Sequence, residues 1–369
     1  MGDFTERVKR KNKYNLSKLP LTISAKYGLV DQITFFNKIV ASTDMSNYYL
    51  LKKGEFAYNK SYSNDYPWGA IKRLDNYEQG VLSALYICFA TQDNVESDFI
   101  LQYFESPKWH KSVSEIAVEG ARNHGLLNIS VQDFFQTYHY VPKEKKEQTK
   151  IATLLHLIDE RISTQNKIIE DLKKLKCAII EKLYSEIQGK EYLYGQLFEV
   201  FNKRNKQMEY SNILSASQEK GMVNRDDLNL DIQFERSNIN TYKIVRAGDY
   251  VIHLRSFQGG FAFSDKLGVC SPAYTILRPN CLLEYGYLSY YFTSHRFIKS
   301  LIIVTYGIRD GRSINIEEWL NMKVIIPSKE HQLHTLKILR SLDGKIENEE
   351  KYTICLSNQK QYLLQQMFI

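Results

Sequence analysis

Hydrophobic positions along the chain fall into two rhythms, and each rhythm occurs twice. Leu155, Ile158, Ile162, Gln165, Ile169, Leu172, Lys176, Ile179 and Leu183 are spaced alternately three and four apart, which draws one stripe down a long helix. The same steps recur through Leu339, Leu342, Ile346, Glu349, Thr353, Leu356, Lys360, Leu363 and Met367. Polar residues interrupt both stripes at matching positions, Gln165 with Glu349 and Lys176 with Lys360. A long helix with a single apolar stripe cannot bury it alone, and the obvious cover is its own duplicate. Polar residues in such a seam cost stability but hold register and orientation.

Ahead of each stripe lies a stretch of different character. Short strand-like runs at residues 55–58 and 249–254 mix with an amphipathic helical stretch at 97–104, punctuated by glycine and asparagine turns. These stretches also repeat in chain order. Gly2-Asp3-Phe4 and the basic run from Lys9 to Asn12 are echoed by Gly195-Gln196-Leu197 and by Lys203-Arg204-Asn205-Lys206. Gly28 returns as Gly221, Gly54-Glu55-Phe56 as Gly248-Asp249-Tyr250, and Gly80-Val81 as Gly268-Val269. The longest match runs from Phe99 through Trp109 to Ser112 and again from Tyr287 through Phe297 to Ser300. Then Val141-Pro142 matches Ile326-Pro327, and Asp159 matches Asp343. The expected fold class is therefore α+β. Two globular mixed α/β domains, residues 1–142 and 189–326, are separated by two long antiparallel coiled-coil helices, 143–188 and 327–369, with internal two-fold pseudo-symmetry.

Composition narrows the classes. At 369 residues with 43% hydrophobic side chains, each globule can bury a core, and disorder is excluded. A formal charge of +7 tolerates an acidic polymer as partner without demanding one. Cys88, Cys177, Cys270, Cys281 and Cys355 are scattered and never form a C-x-x-C pair, which fits reduced thiols in a cytoplasm. No apolar run reaches the roughly 18 residues of a membrane helix. The start, Met1-Gly2-Asp3-Phe4-Thr5-Glu6, reads as neither a signal peptide nor a myristoylation site.

Catalytic constellations are missing. The chain has no Gly-rich phosphate loop, nucleophile elbow or H-E-x-x-H, and no Pro-Pro dipeptide of the kind an adenine methyltransferase tetrad needs. The close pair His331 and His334 lacks companions at ligand spacing, so no metal is expected. The remaining inventory suits DNA reading. Arginine pairs with guanine, asparagine with adenine, and lysine, serine and tyrosine hold phosphates. Arg122-Asn123-His124-Gly125 and Arg309-Asp310-Gly311-Arg312 occupy corresponding places in the two globules. Lys60-Ser61-Tyr62 and Arg255-Ser256-Phe257 follow corresponding strand-like runs. The candidate DNA-binding residues are thus Lys60, Ser61, Tyr62, Arg122, Asn123, Arg255, Ser256, Arg309 and Arg312.

On these residues the chain resembles the specificity subunit of Type I restriction-modification systems. The resemblance covers nearly the whole chain in the order globule, helix, globule, helix. It is sharpest from Val141-Pro142 through Glu147-Gln148, Ile151-Ala152, Leu155, Ile158-Asp159 and Ile162, then over Glu170, Leu172 and Leu175-Lys176, with a diverged copy after Ile326-Pro327. It implies a non-catalytic, cytoplasmic subunit whose recognition domains each read one half of a split double-stranded DNA target. Its helices would dock methyltransferase subunits that bind S-adenosylmethionine, and restriction subunits would join them. This chain itself would carry no cofactor. Two departures stand out. A lead-in at residues 191–194 precedes Gly195 and has no counterpart before Gly2, and His331-Gln332 replaces Glu147-Gln148. The alternatives are a specificity subunit serving a related methyltransferase-nuclease, and a coiled-coil scaffold with protein-binding globules. A salt-dependent DNA affinity separates the DNA readings from the scaffold.

Overall fold

A computed structural model describes every residue except 25–26, 39, 64–65, 118–126, 218–219, 229–235, 254–259, 307–312 and 369. The chain divides into two compact units, Met1–Asn166 with Lys351–Ile369, and Lys167–Glu350. Each unit is built around a four-stranded antiparallel sheet. In unit 1 the strands lie in the order Thr5–Arg7, Ile87–Thr91, Phe56–Asn59, Ala70–Arg73. Unit 2 repeats that order with Phe198–Phe201, Thr275–Pro279, Tyr250–Ile252 and Phe261–Phe263.

Successive side chains on a strand point to opposite faces, and both faces of these sheets are covered. Phe56 and Tyr58 join Ile87 and Phe89 in an aromatic cluster with the helical residues Phe99, Phe104 and Phe134 and with Trp109, the N-cap of the helix His110–Ile116. The intervening Ala57 and Cys88 face the other way, into a smaller cluster with Leu21 and Leu29 from a flanking hairpin and Leu51 and Leu82 from the strand pair Tyr49–Lys52 and Gln79–Leu82. Unit 2 alternates identically. Tyr250, Ile252 and Leu277 pack toward Phe292, Phe297 and Trp319, while Val251, Ala262 and Ile276 pack toward Leu214, Met222 and Val269's neighbour Cys270. Covered faces explain why these strands read as nearly continuous apolar runs rather than as a clean polar-apolar alternation.

The hairpins also match. Leu21–Ser24 pairs with Gly28–Asp31, and Leu214–Ser217 with Gly221–Asn224. Gly28 and Gly221 sit at φ +77° and +70°, where a side chain would be strained. Gly80 and Gly268 are glycines for a different reason. A Cβ would come within 2.4 Å of Leu21 in one unit and 2.5 Å of the Asn212 carbonyl oxygen in the other.

Two long helices, Lys145–Ser185 and Lys329–Gln366, complete the architecture. Each contributes one end to each unit. Unit 1 packs Ile151, Ala152 and Leu155 from the start of the first helix, with Leu364 near the end of the second, onto its aromatic core. Unit 2 packs Ile180 and Tyr184 from the end of the first with Leu336 and Leu339 from the start of the second. Within both units the two helices run antiparallel. Lys173 meets Glu350 and Lys176 meets Asp343 in unit 2, and Lys360 meets Asp159 in unit 1. Among the seam positions, Leu155, Ile169, Leu339, Ile346 and Leu356 are buried, while Ile158, Ile162, Leu172, Ile179, Leu183, Leu342 and Leu363 are half-buried.

Candidate nucleic-acid loops and helix junctions

The loop after strand Phe56–Asn59 carries Lys60, Ser61 and Tyr62. Ser61 donates its N–H to Asn59 Oδ1 at 3.0 Å, and Lys60 donates its ammonium to the Ile129 carbonyl at 3.3 Å. The Lys60 carbonyl accepts the N–H of Leu127 at 2.9 Å. Leu127 follows directly after residues 118–126, so the backbone of one candidate loop is tied to the end of the segment that holds the other. Tyr62 is 55% exposed. The loop closes on Gly69, at φ +78°, where a Cβ would stand 2.1 Å from the Asn59 carbonyl oxygen. Only glycine fits that approach.

Arg122, Asn123, Arg255, Ser256, Arg309 and Arg312 lie outside the described residues. Their flanks are ordered by pairing. His253 donates its N–H to Gly260 O at 2.8 Å on either side of residues 254–259, and Thr305–Tyr306 pairs with Ser313–Ile314 on either side of 307–312.

Sequence reasoning passed over a second pair of loops, those holding the basic runs. Asn12 is fully buried; its amide donates to the Ser17 carbonyl and its Oδ1 accepts the Ser17 N–H, both at 2.9 Å. Asn205 does the same with Tyr210, at 2.7 and 3.2 Å. Each asparagine also donates its backbone N–H to the chain beside it, Tyr48 O or Tyr242 O. A side-chain amide thus satisfies both a donor and an acceptor and folds each basic run into a loop of the same span. In unit 2 that loop borders a cleft of about 610 Å³ lined by Lys203, Arg204 and Lys206 with Glu209. The signal in the sequence was an asparagine ten residues after each of the matched glycines Gly2 and Gly195.

The junctions between globule and helix are where the two units agree most closely. Gln148 is 1% exposed; its Oε1 accepts the Glu96 N–H at 2.7 Å and its Nε2 donates to the Pro142 carbonyl at 2.7 Å. Gln332, equally buried, accepts the Glu284 N–H at 2.7 Å and donates to the Pro327 carbonyl at 3.0 Å. Lys145 pairs with Glu96 at 3.4 Å, and Lys329 with Glu284 at 3.0 Å. The exchange of Glu147 for His331 touches none of this, because both side chains are exposed.

A carboxylate ties globule to both helices in each unit. Asp159 accepts from Lys360 at 2.6 Å and from Gln102 Nε2 at 3.0 Å. Asp343 accepts from Lys176 and, at 2.6 Å, from the Tyr290 hydroxyl. Burial, and then the hydrogen bond to Asp343, hold the Tyr290 phenol above its ordinary range. The seam lysines of the sequence pattern are therefore cross-partnered, each bound to the aspartate of the other copy. The first unit adds a feature with no equivalent in the second. His139 lies between the Tyr103 hydroxyl, at 2.9 Å from Nδ1, and the Thr137 hydroxyl, at 2.7 Å from Nε2. Thr137 already donates to the Phe134 carbonyl, so Nε2 donates and Nδ1 accepts, a neutral imidazole. Burial first, and then the Met1 ammonium, push its pKa down to about 3.

Among the described residues no group of His, Cys, Asp or Glu is arranged to hold a metal, and no helix is long and apolar enough to cross a membrane. Residues 190–355 match the family model of the Type I restriction modification DNA specificity domain. No curated protein matches the chain. Three solved structures share the fold along nearly the entire chain. One, from work on complex assembly and conformational transition of the type I R-M system, is 14% identical and covers 99% of this chain and 95% of its own, with a TM-score of 0.62. The Type I restriction-modification system S subunit of M. genitalium is 15% identical over 100% and 94%, with a TM-score of 0.52. The HsdS subunit of Thermoanaerobacter tengcongensis is 16% identical over 100% and 95%, with a TM-score of 0.50.

Proposed function

We propose, on the match of residues 190–355 to the Type I restriction modification DNA specificity domain, that the chain is a non-catalytic specificity subunit that reads both halves of a split DNA target for a methyltransferase. Residues 1–142 and 189–326 are the two recognition domains, and residues 143–188 and 327–369 the docking helices. The observation that carries the reading is a contrast between junction and loop. Gln148 and Gln332 make the same bonds at the same places, as do the two lysine-aspartate ties. At the corresponding candidate loops, by contrast, Arg122-Asn123-His124-Gly125 stands against Arg309-Asp310-Gly311-Arg312. A constant frame with unlike readers is what two different half-sites require, since base identity is read by side chains and position by the scaffold.

The helices supply the second surface. Leu157, Leu175 and Ile354 are 56%, 50% and 60% exposed, off the seam and on rigid helix. Exposed large apolar side chains on a charged helix suit a protein partner better than solvent. We assign them to methyltransferase subunits, which would bring S-adenosylmethionine, with restriction subunits joining the assembly. Sequencing the methylome of cells with and without the gene tests the reading, with loss of one bipartite methylated motif as the expected result. Replacing Arg309 and Arg312 with Ala should weaken binding to that motif by roughly 1–3 kcal/mol for each arginine that reads a base, while methyltransferase still co-purifies. Loss of the complex with DNA affinity intact would refute the assignment.

A further inference from the structure

Duplication sorts the positions of the two globules into classes. Residues that are alike in both copies and buried make the frame, and residues that are unlike and exposed can read different bases. A third class is alike and exposed, and it lies on the two loops that buried Asn12 and Asn205 close. Main-chain pairing fixes the register of these loops whatever side chains they carry. Leu50 donates its N–H to Arg10 O at 3.0 Å, and Ile244 donates to Lys203 O at 2.9 Å. Lys11 bridges to Tyr49, and Arg204 to Lys243. The N–H of Asn15 returns to Asn12 O at 3.1 Å and that of Met208 to Asn205 O at 2.9 Å, with both residues left-handed, at φ +50° and +53°. A methionine rarely adopts that conformation, so it is the turn that both loops keep and not the residue.

On that register Arg10 matches Lys203, Lys11 matches Arg204 and Lys13 matches Lys206, a cation at the same steps of each loop. The neighbours share nothing: Tyr14 stands against Gln207, Asn15 against Met208 and Leu16 against Glu209. Arg10 is held by Glu55 at 2.7 Å, and Lys11 lies over the Tyr49 ring. Lys13, Lys203, Arg204 and Lys206 are exposed and pair with no acid among the described residues. Residues 9–18 hold five cations and no carboxylate. In unit 2 the loop borders the cleft of about 610 Å³, and Lys243 behind it donates its ammonium to the Tyr274 carbonyl at 2.6 Å. Burial, and beyond it the like charge of Arg204, hold that ammonium below the ordinary lysine range. Like charges gathered on a pinned loop repel one another until an anion arrives.

We propose that these two loops grip the DNA phosphate backbone, each at its own half-site, with Lys13 and Lys206 as the matched contacts and Lys203 and Arg204 adding to the second. The proposal rests on the DNA reading above and names the groups that supply its sequence-independent part. Phosphates repeat with one chemistry whatever the bases beside them. A duplicated protein with two different targets therefore needs the same charges at the same steps, while the residues between them are free to change. An acidic protein surface would be matched by the apolar and polar neighbours as well as by charge, and here those neighbours differ.

The test measures the affinity of the full chain, together with its methyltransferase, across a salt series for two duplexes, one carrying the motif found by methylome sequencing and one of unrelated sequence. Lys13→Gln and Lys206→Gln should each weaken both duplexes by the same factor and lower the slope of log affinity against log salt by about 0.9. The methylated motif should stay the same, and Lys13→Arg and Lys206→Arg should keep the original slope. Both lysines are exposed, so the thermal midpoint should not move. An unchanged slope with DNA binding intact would overturn the proposal and leave the DNA reading standing. Weakening of the motif duplex alone would also overturn it, by making the lysines base readers. Loss of the methyltransferase at an unchanged slope would do so by making the loops a protein-docking surface. If the unsubstituted complex held neither duplex, the DNA reading itself would fall and this proposal with it.

Discussion

Gln148 and Gln332 each do with one side chain what a cap does for a shorter helix. Both amide ends are used, on a buried side chain, to hold the first turn of a long helix against the loop before a globule's own helix. Replacing either with Leu would keep the volume but strand a buried N–H and a buried carbonyl. A loss of about 1–3 kcal/mol for each stranded group is expected, confined to unit 1 for Gln148→Leu and to unit 2 for Gln332→Leu. Denaturant titration read by hydrogen exchange would show it. Glu147→His, by contrast, should cost almost nothing, since both that glutamate and its counterpart His331 are exposed.

His139 makes unit 1 sensitive to acid through a histidine that unit 2 lacks at the matching position, where Val324 stands. Its folded pKa, about 3, lies below the ordinary 6.5. Between those values the unfolded chain binds a proton that the folded chain refuses, so stability is complete above pH 6.5 and falls as pH drops toward 3. The slope approaches about 1.4 kcal/mol per pH unit. His139→Val should remove this dependence, as measured by urea unfolding of unit 1 across pH 7 to 4. An unchanged slope would place the acid sensitivity in other groups.

At the scale of elements, the stripes mark the face each helix buries, and their duplication points to each helix as the other's cover, but neither tells which residues meet across the seam. Periodicity reports a face and a register, not the individual contacts. Lys176 and Lys360 stood out as interruptions, and Asp159 and Asp343 as matched acids, yet only the fold brings each lysine to the aspartate of the other copy. Asn12 and Asn205 were hidden for a similar reason. Asparagine in a basic run reads as a turn residue, and its burial depends on chain 36 or 37 residues away, at Tyr48 and Tyr242. The candidate DNA loops were readable as composition only, since side-chain reach is set by geometry that residue types do not encode.

The helices should therefore separate stability from docking by face. Leu155 and Leu339 are fully buried, one in each unit's core, and their Ala variants should lose about 2–5 kcal/mol. Leu157, two positions along and more than half exposed, should change stability by less than about 0.5 kcal/mol when replaced by Ala, yet weaken co-purification with methyltransferase. Circular dichroism melts alongside pull-downs would check both arms. An effect of Leu157→Ala on melting as large as that of Leu155→Ala would place that residue in the core instead.

At the scale of the molecule, duplication makes each unit a composite. Unit 1 takes its globule from the start of the chain, one helix end from the middle and the other from the end. Whatever is exchanged in one globule must therefore keep three tethers: the Glu96 N–H for Gln148, the Gln102 amide for Asp159 and the aromatic seat of Phe99 and Tyr103 for Phe368. None of these lies in a candidate reading loop, so frame and reader can be changed separately. Replacing residues 1–142 with the equivalent domain of a relative that preserves Gln102 and the two aromatics should leave the complex assembled and alter one half of the methylated motif, the other half remaining as before. A replacement lacking Gln102 should instead lose unit 1 stability by about 1 kcal/mol or more, with the Asp159–Lys360 pair left to hold the junction, partly exposed and worth little by itself. Methylome sequencing of cells carrying each hybrid reads the outcome. A hybrid that changed both half-sites at once would mean that the two globules do not read independently, and that the duplication serves the frame alone.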